Sequence, residues 1–172
     1  DHPKRSRGSH KILTGLRVLD SHSNASTALT LGSPCTFQIA FRSELIRKGL
    51  GFCITISTEQ GQKIGILHSR IQSRIVTEGE ESGSVECHLD ELPLLPGIYS
   101  IDVSAGTWDQ TLDSIDQATR ISVLASDYFQ TGELPNRNQG VVAFKGEWTR
   151  SPTNDRTTTI TSQATSSPIA PT

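Results

Sequence analysis

Methionine is absent from the 172 residues, and aromatic side chains make up only 5% of them. A chain without Met does not begin at a translation start, so the sequence reads as a piece of a longer protein. No apolar run nears the ~18–20 residues that span a bilayer. Neither sign of charge dominates: 16 Lys and Arg against 18 Asp and Glu leave a formal net charge of −2, which gives no electrostatic footprint for DNA or RNA. Cysteine is scarce. Cys35, Cys53 and Cys87 are odd in number and never spaced C-x-x-C, so neither a disulfide scaffold nor a zinc site is suggested. Reduced thiols in a cytoplasmic compartment are the simpler reading. Signatures of catalysis are missing too: no Walker loop, no G-x-S-x-G elbow, no H-E-x-x-H, no Gly-rich fingerprint. The five histidines (His2, His10, His22, His68, His88) do not cluster, and Glu78, Glu80 and Glu81 read as a solvated loop. The expectation is a non-enzyme without cofactor or metal.

Apolar residues are 34% of the chain, with 14 Gly and 8 Pro; this favours a modest sheet-rich core with polar ends. The first ten residues, DHPKRSRGSH, hold no apolar periodicity and read as the end of a linker. From Ser151 the chain is Ser/Thr/Pro-rich and has too few apolar side chains to offset its ordering entropy, so residues 151–172 are expected to be a disordered tail. The folded unit is residues 11–150.

Within that unit, strand-period alternation recurs. Cys35, Phe37, Ile39 and Phe41 alternate with polar neighbours, as do Phe52, Ile54 and Ile56. Glu59-Gln60-Gly61 turns into Lys63–Ser69, a hairpin. Val85, Cys87 and Leu89 follow, then Tyr99, Ile101 and Val103. Leu112–Asp116, Ala118–Leu124 and Val141–Phe144 are further strand-like runs, and no segment carries a sustained 3.6-residue stripe. Eight to ten short strands separated by turns predict an all-β antiparallel sandwich, immunoglobulin-like or jelly-roll-like, with one polar outer wall per sheet.

That wall carries the binding expectation. A sugar offers hydroxyls in fixed directions and apolar C–H faces, and its site needs planar polar groups beside a ring. Trp108, in Gly106-Thr107-Trp108-Asp109-Gln110, is the candidate platform; the bland reading folds it back over the core edge. Gln38, Arg42, Thr55, Ser57 and Asp102 share outward parity on three strands and complete the candidate glycan-binding set, with ordinary solvated surface as the competing reading for each.

Leu92-Pro93-Leu94-Leu95-Pro96-Gly97-Ile98-Tyr99 is the most informative run. Pro96-Gly97 turns the chain and delivers Tyr99 to the start of a strand, where its OH caps nearby backbone as in a tyrosine corner. Downstream stand Ser126-Asp127-Tyr128-Phe129-Gln130-Thr131-Gly132, Gln139-Gly140-Val141-Val142 and Gly146-Glu147-Trp148. This order, with the Phe52–Ser69 hairpin, resembles the C-terminal carbohydrate-binding domain of the ATP-binding subunit of O-antigen polysaccharide ABC transporters, the Wzt type, over residues 11–150.

The resemblance implies a non-catalytic sandwich that binds O-polysaccharide at the cytoplasmic face of the bacterial inner membrane and confers selectivity on the exporter. It implies an upstream ATPase domain outside this sequence, through which a transmembrane subunit is engaged. It also implies a homodimer formed by exchange of a C-terminal strand, here Gly140–Trp148 after the Gly132–Asn138 loop. No contact residue is carried over. The alternatives are a structural or protein-interaction sandwich without glycan binding and, more distantly, a polysaccharide-modifying enzyme.

Overall fold

Alternation sets the frame. In β3 (Cys35–Arg42) every second side chain, Cys35, Phe37, Ile39 and Phe41, is buried. It pairs antiparallel with β1 (Leu13–Leu19) on one side and β6 (Ser82–Leu89) on the other, giving a three-stranded sheet. Opposite lies a five-stranded sheet in the order β2-β8-β7-β4-β5. Its strands are β2 (Ala28–Thr30), β4 (Gly51–Thr58), β5 (Lys63–His68), β7 (Gly97–Gly106) and β8 (Thr111–Leu124). All pairings are antiparallel except the short one between β2 and β8. These facts come from a computed structural model that describes residues 2–6, 10–42, 49–77 and 81–150. The expected tail from Ser151, and Glu78 and Glu80, lie outside the described residues.

The two inner faces meet in one core. Phe37, Ile39 and Phe41 face Phe52, Ile54, Tyr99, Ile101 and Val103, all nearly inaccessible to water, and the Phe41 and Phe52 rings meet tilted with centroids 5.2 Å apart. Burial pushes the Cys35 thiol up to about 11, with a smaller push from Cys87.

The structure departs from the expected strands at several places, and the run Val141–Phe144 forms no strand, only an isolated bridge from Val142 to Leu94. Leu112–Asp116 and Ala118–Leu124 are one strand, β8, broken by a bulge: Ile101 pairs with Thr119 and Val103 with Ile115, so Asp102 stands opposite Asp116–Ala118. β1 went unread because its register slips between Leu13 and Gly15, which spoils the period. A five-residue helix, α1 (Ser69–Ser73), closes the edge of β5 and is too short to show a helical stripe. The stretch read as a linker end also makes ladder bonds: the Ser6 N–H donates to Ser114 O at 3.0 Å, and the Asp116 N–H to Lys4 O at 3.1 Å.

The tyrosine corner forms as expected. Tyr99 is fully buried, and its OH donates to Leu95 O at 2.5 Å and more weakly to Val141 O at 3.4 Å. Residues 141–143 run beside the same turn: the Leu95 N–H donates to Val141 O at 3.0 Å and the Ala143 N–H to Pro93 O at 2.8 Å. Tyr99→Phe keeps the ring and strands Leu95 O in a dry place. We expect a loss of about 1–2 kcal/mol in urea denaturation with an unchanged m-value.

Candidate functional site

β4 and β7 build the outer face of the larger sheet, and their non-core positions carry small polar groups. Register lines these up in rows. One row runs His68, Cys53, Ser104, Ser114; the next runs Ile66, Thr55, Asp102; a third pairs Ser57 with Ser100 and Ser100 with Arg120. Asp102 Oδ1 accepts the Gln117 N–H at 2.7 Å from the β8 bulge, where Gln117 sits in the left-handed region at φ 47°. Ser57 keeps only 8% exposure, so it is floor to this face and offers little hydroxyl to a ligand.

At one end of the face, the β7–β8 turn lifts Trp108 out of the sheet. The Thr107 N–H donates to Gln110 O at 2.9 Å and the Thr107 hydroxyl to Asp109 Oδ1 at 2.8 Å, closing the turn. Gly106 is required there, because a Cβ on it would stand 2.3 Å from Gln110 O. Trp108 is 79% exposed and is not folded back over the core. A hydrophobic ring that large is left in water at a cost, and it has a partner: the Arg70 guanidinium lies 5.7 Å from its centroid. α1 delivers Arg70 by starting just after His68, pinned by Ser69, whose hydroxyl accepts the Phe52 N–H and donates to Ile75 O. Arg70 then crosses Gly51, where a Cβ would stand 3.2 Å from Nε, and donates from Nη2 to Gly49 O at 2.9 Å.

Between turn and sheet lies a shallow recess of about 60 Å³ lined by Cys53, His68, Ser104 and Gln110, room for one or two waters. The buried Nδ1 of His68 has no hydrogen-bond partner among the described residues. An exposed indole, a guanidinium near its ring, an imidazole, an amide and the Ser104 hydroxyl thus gather at one edge. Such a surface offers one ring face together with hydrogen-bond donors and acceptors. Among the described residues no three His, Cys, Asp or Glu side chains gather as metal ligands.

The expected set is divided. Thr55, Ser57 and Asp102 share this face, and Trp108 borders it, whereas Gln38 and Arg42 lie on β3 in the other sheet. Gln38 is already engaged, its Nε2 donating to Glu86 Oε1 at 2.8 Å. Arg70, His68 and Gln110 were missed; only the strand pairing brings Arg70 to Trp108, and no sequence spacing signals it.

Two larger openings are seams between the sheets. One of about 610 Å³ lies between β1 and β8, roofed by His2, Pro3 and Arg5. The other, about 360 Å³, lies between β6 and α1 over Phe52, Ile54 and Leu67, with Ile71 and Ile75 exposed nearby. Both are floored by core side chains, and neither presents an aromatic platform.

We expect Trp108→Ala to leave folding stability within about 0.5 kcal/mol, as for surface positions generally. Gly106→Ala drives a methyl into Gln110 O and costs about 1–3 kcal/mol. Paired denaturation curves check both.

A family model for the Wzt C-terminal domain matches residues 4–143. A solved crystal structure of the C-terminal domain of Wzt superposes with a TM-score of 0.68 at 17% identity, covering 87% of this chain and 90% of that one. The CARDB domain of a Pyrococcus furiosus protein, crystallised with di-metal ions, aligns at 9% identity and a TM-score of 0.33, over 67% of this chain and 96% of that one. No curated protein matches the sequence.

Proposed function

The chain belongs to the Wzt C-terminal domain family, and from that premise we propose that it is a non-catalytic glycan-binding module of a polysaccharide ABC exporter, reading O-polysaccharide at the cytoplasmic side of the inner membrane. The observation that carries the reading is Trp108, 79% exposed with the Arg70 guanidinium 5.7 Å from its ring centroid, beside the polar face. A sugar ring stacks on the indole beside Gln110 and Arg70, while further units of the same polymer reach Thr55 and Asp102, about 13 Å along the strands. Affinity per site is low, because hydroxyl-to-protein bonds replace bonds to water. Gln38 and Arg42, on the opposite sheet, belong to a separate contact region.

Pairing two modules raises avidity for a repeating polymer without new contacts. The run Gly140–Trp148 suits exchange between copies: residues 141–143 bond to the 93–95 turn, while Phe144 and Trp148 beyond it are 84% and 100% exposed. Lys145 anchors the run, donating to Glu91 Oε1 at 2.5 Å and lying 4.5 Å from the Tyr128 ring centroid. An ATPase domain in the same protein and a transmembrane subunit are the remaining partners of this reading. Among the described residues no helix is long and apolar enough to cross a membrane.

The second reading, a protein-interaction sandwich, draws on exposed Ile66, Ile71 and Ile75 around α1. Titrating the chain with the host strain's O-polysaccharide, followed by amide NMR, separates the two. Shifts confined to β4, β7 and the Trp108 turn, absent with an unrelated polymer, are expected. Trp108→Ala weakens binding by about two- to tenfold, the worth of one stacked ring. Absence of shifts at millimolar repeat concentration would refute the glycan reading.

A further inference from the structure

β2 covers only Ser122–Leu124 of β8, leaving the first two-thirds of that strand with an open edge. Open edges are costly because their N–H and C=O groups lack partners and invite foreign strands. Here the edge is filled from within. Lys4, Ser6 and His10 exchange backbone hydrogen bonds with Asp116, Ser114 and Leu112 at 3.0–3.1 Å, and Arg5 bridges Ile115.

What locks this edge segment is a carboxyl in the core. Asp113 alternates with Ile115 on the inward side of β8, and its side chain is wholly removed from solvent. A carboxylate so placed requires a cation and donors. Its Oδ2 receives Arg5 Nη1 and the Leu13 N–H, the latter at 2.8 Å, while Arg5 Nη2 donates to Leu13 O at 2.7 Å. One guanidinium therefore ties the edge segment, β8 and the first residue of β1 together.

The neighbouring residue reaches the outer face. Lys4 Nζ donates to Gln117 Oε1, and Gln117, strained at φ 47° in the bulge, gives its N–H to Asp102 Oδ1. A non-glycine residue in that conformation persists only where its surroundings hold it.

We propose that residues 2–6 are a latched edge segment, a turn at Pro3-Lys4 leading into the single Arg5–Ile115 bridge, that steadies the binding face: Arg5 anchors it in Asp113, Lys4 fixes Gln117, and Gln117 aims Asp102. Lys4, Arg5 and Gln117 are positioning residues. The latch stands on the contacts alone; its effect on sugar rests on the glycan reading above. Because linkage is reciprocal, polymer held at Asp102 also tightens the docking of residues 2–6.

Amide hydrogen exchange on the whole 172-residue chain tests this. In Arg5→Met the Ser6 and Asp116 amides are expected to exchange about tenfold faster or more, the Gln117 amide shifts, and Ile54 and Ile101 in the core sheet stay as they were. Restoring neutrality with Arg5→Met/Asp113→Leu keeps the fold and leaves Ser6 fast. Should Arg5→Met not fold, Ser6→Pro removes the segment's own donor with the ion pair in place, and Asp116 and Gln117 respond alike. Exchange at Asp116 within twofold of the parent in every variant that folds would overturn the latch. Lys4→Met, with Lys4→Arg as its rescue, isolates positioning: only the first moves the Gln117 amide, and only the first weakens the host strain's O-polysaccharide, by about threefold. A Gln117 amide unmoved by Lys4→Met refutes the positioning. If the parent chain binds no polysaccharide, the glycan reading fails while the exchange results still decide the latch.

Discussion

A sandwich of three strands against five cannot close itself. At about 4.8 Å per strand, β1-β3-β6 is about 10 Å wide between outer axes and the facing sheet about 19 Å. Inner-face side chains beyond the narrower sheet would meet water on both flanks. Much of the irregular structure answers that constraint. On the β1–β8 flank, residues 2–6 roof the seam and Arg5 enters it. On the β5–β6 flank α1 lies over the gap, leaving a narrower opening. At the end of the sandwich the 92–95 turn, with residues 141–143 beside it, buries Leu92, Leu94 and Leu95. The edges where the sheets fail to match are therefore where chain segments can dock, and where the exposed polar groups gather.

Much of this was legible in the order of residues, and the illegible part has a common cause. Strands whose period is unbroken, such as Cys35–Arg42 and the Phe52–Ile56 part of β4, declare themselves because each buries alternate side chains. The Tyr99 corner is local, since Tyr99 and Leu95 are four residues apart. What failed to show was non-local or irregular. β8 looked like two strands because Asp116 and Gln117 bulge opposite Asp102. The basic segment looked like a linker because its order comes from ladder bonds and one ion pair spanning 108 residues, with no apolar stripe to announce it. The one available signal was Asp113 itself, a carboxylate at an inward position beside Ile115, which demanded a cation from somewhere. The candidate binding set split for the same reason: parity says which side of a strand a residue faces, while sheet membership depends on pairing across the whole chain.

The Arg5–Asp113 pair also shows why an ionic latch differs from an apolar one. Burying two charges costs about as much as their attraction returns, so the pair adds little net stability against a well-packed apolar substitute. Removing either partner alone, however, strands the other in a dry site. Removal of one partner is therefore far costlier than exchange of both for apolar groups, the more so because Asp113 Oδ1 already lacks a partner among the described residues. An apolar side chain on the same segment would slide or repack at small cost. Three donors converging on or beside one carboxylate fix the register to the residue.

On the glycan-binding proposal, that property matters for a face whose individual contacts are weak. Hydroxyl-to-protein bonds replace hydroxyl-to-water bonds, so discrimination among sugars depends on donors and acceptors standing still in the right directions. Thr55 is held by the sheet ladder, and Trp108 by its closed turn with Arg70 near it. Asp102 has a longer side chain opposite an irregular bulge, and would be the least fixed of the set without the Gln117 N–H. The bulge in turn is steadied at its side chain by Lys4. The order of dependence runs from a buried carboxyl at Asp113, through a segment added at the edge, to the direction of one carboxylate on the surface. In a face built from weak contacts, that direction separates a surface that selects from one that is only polar.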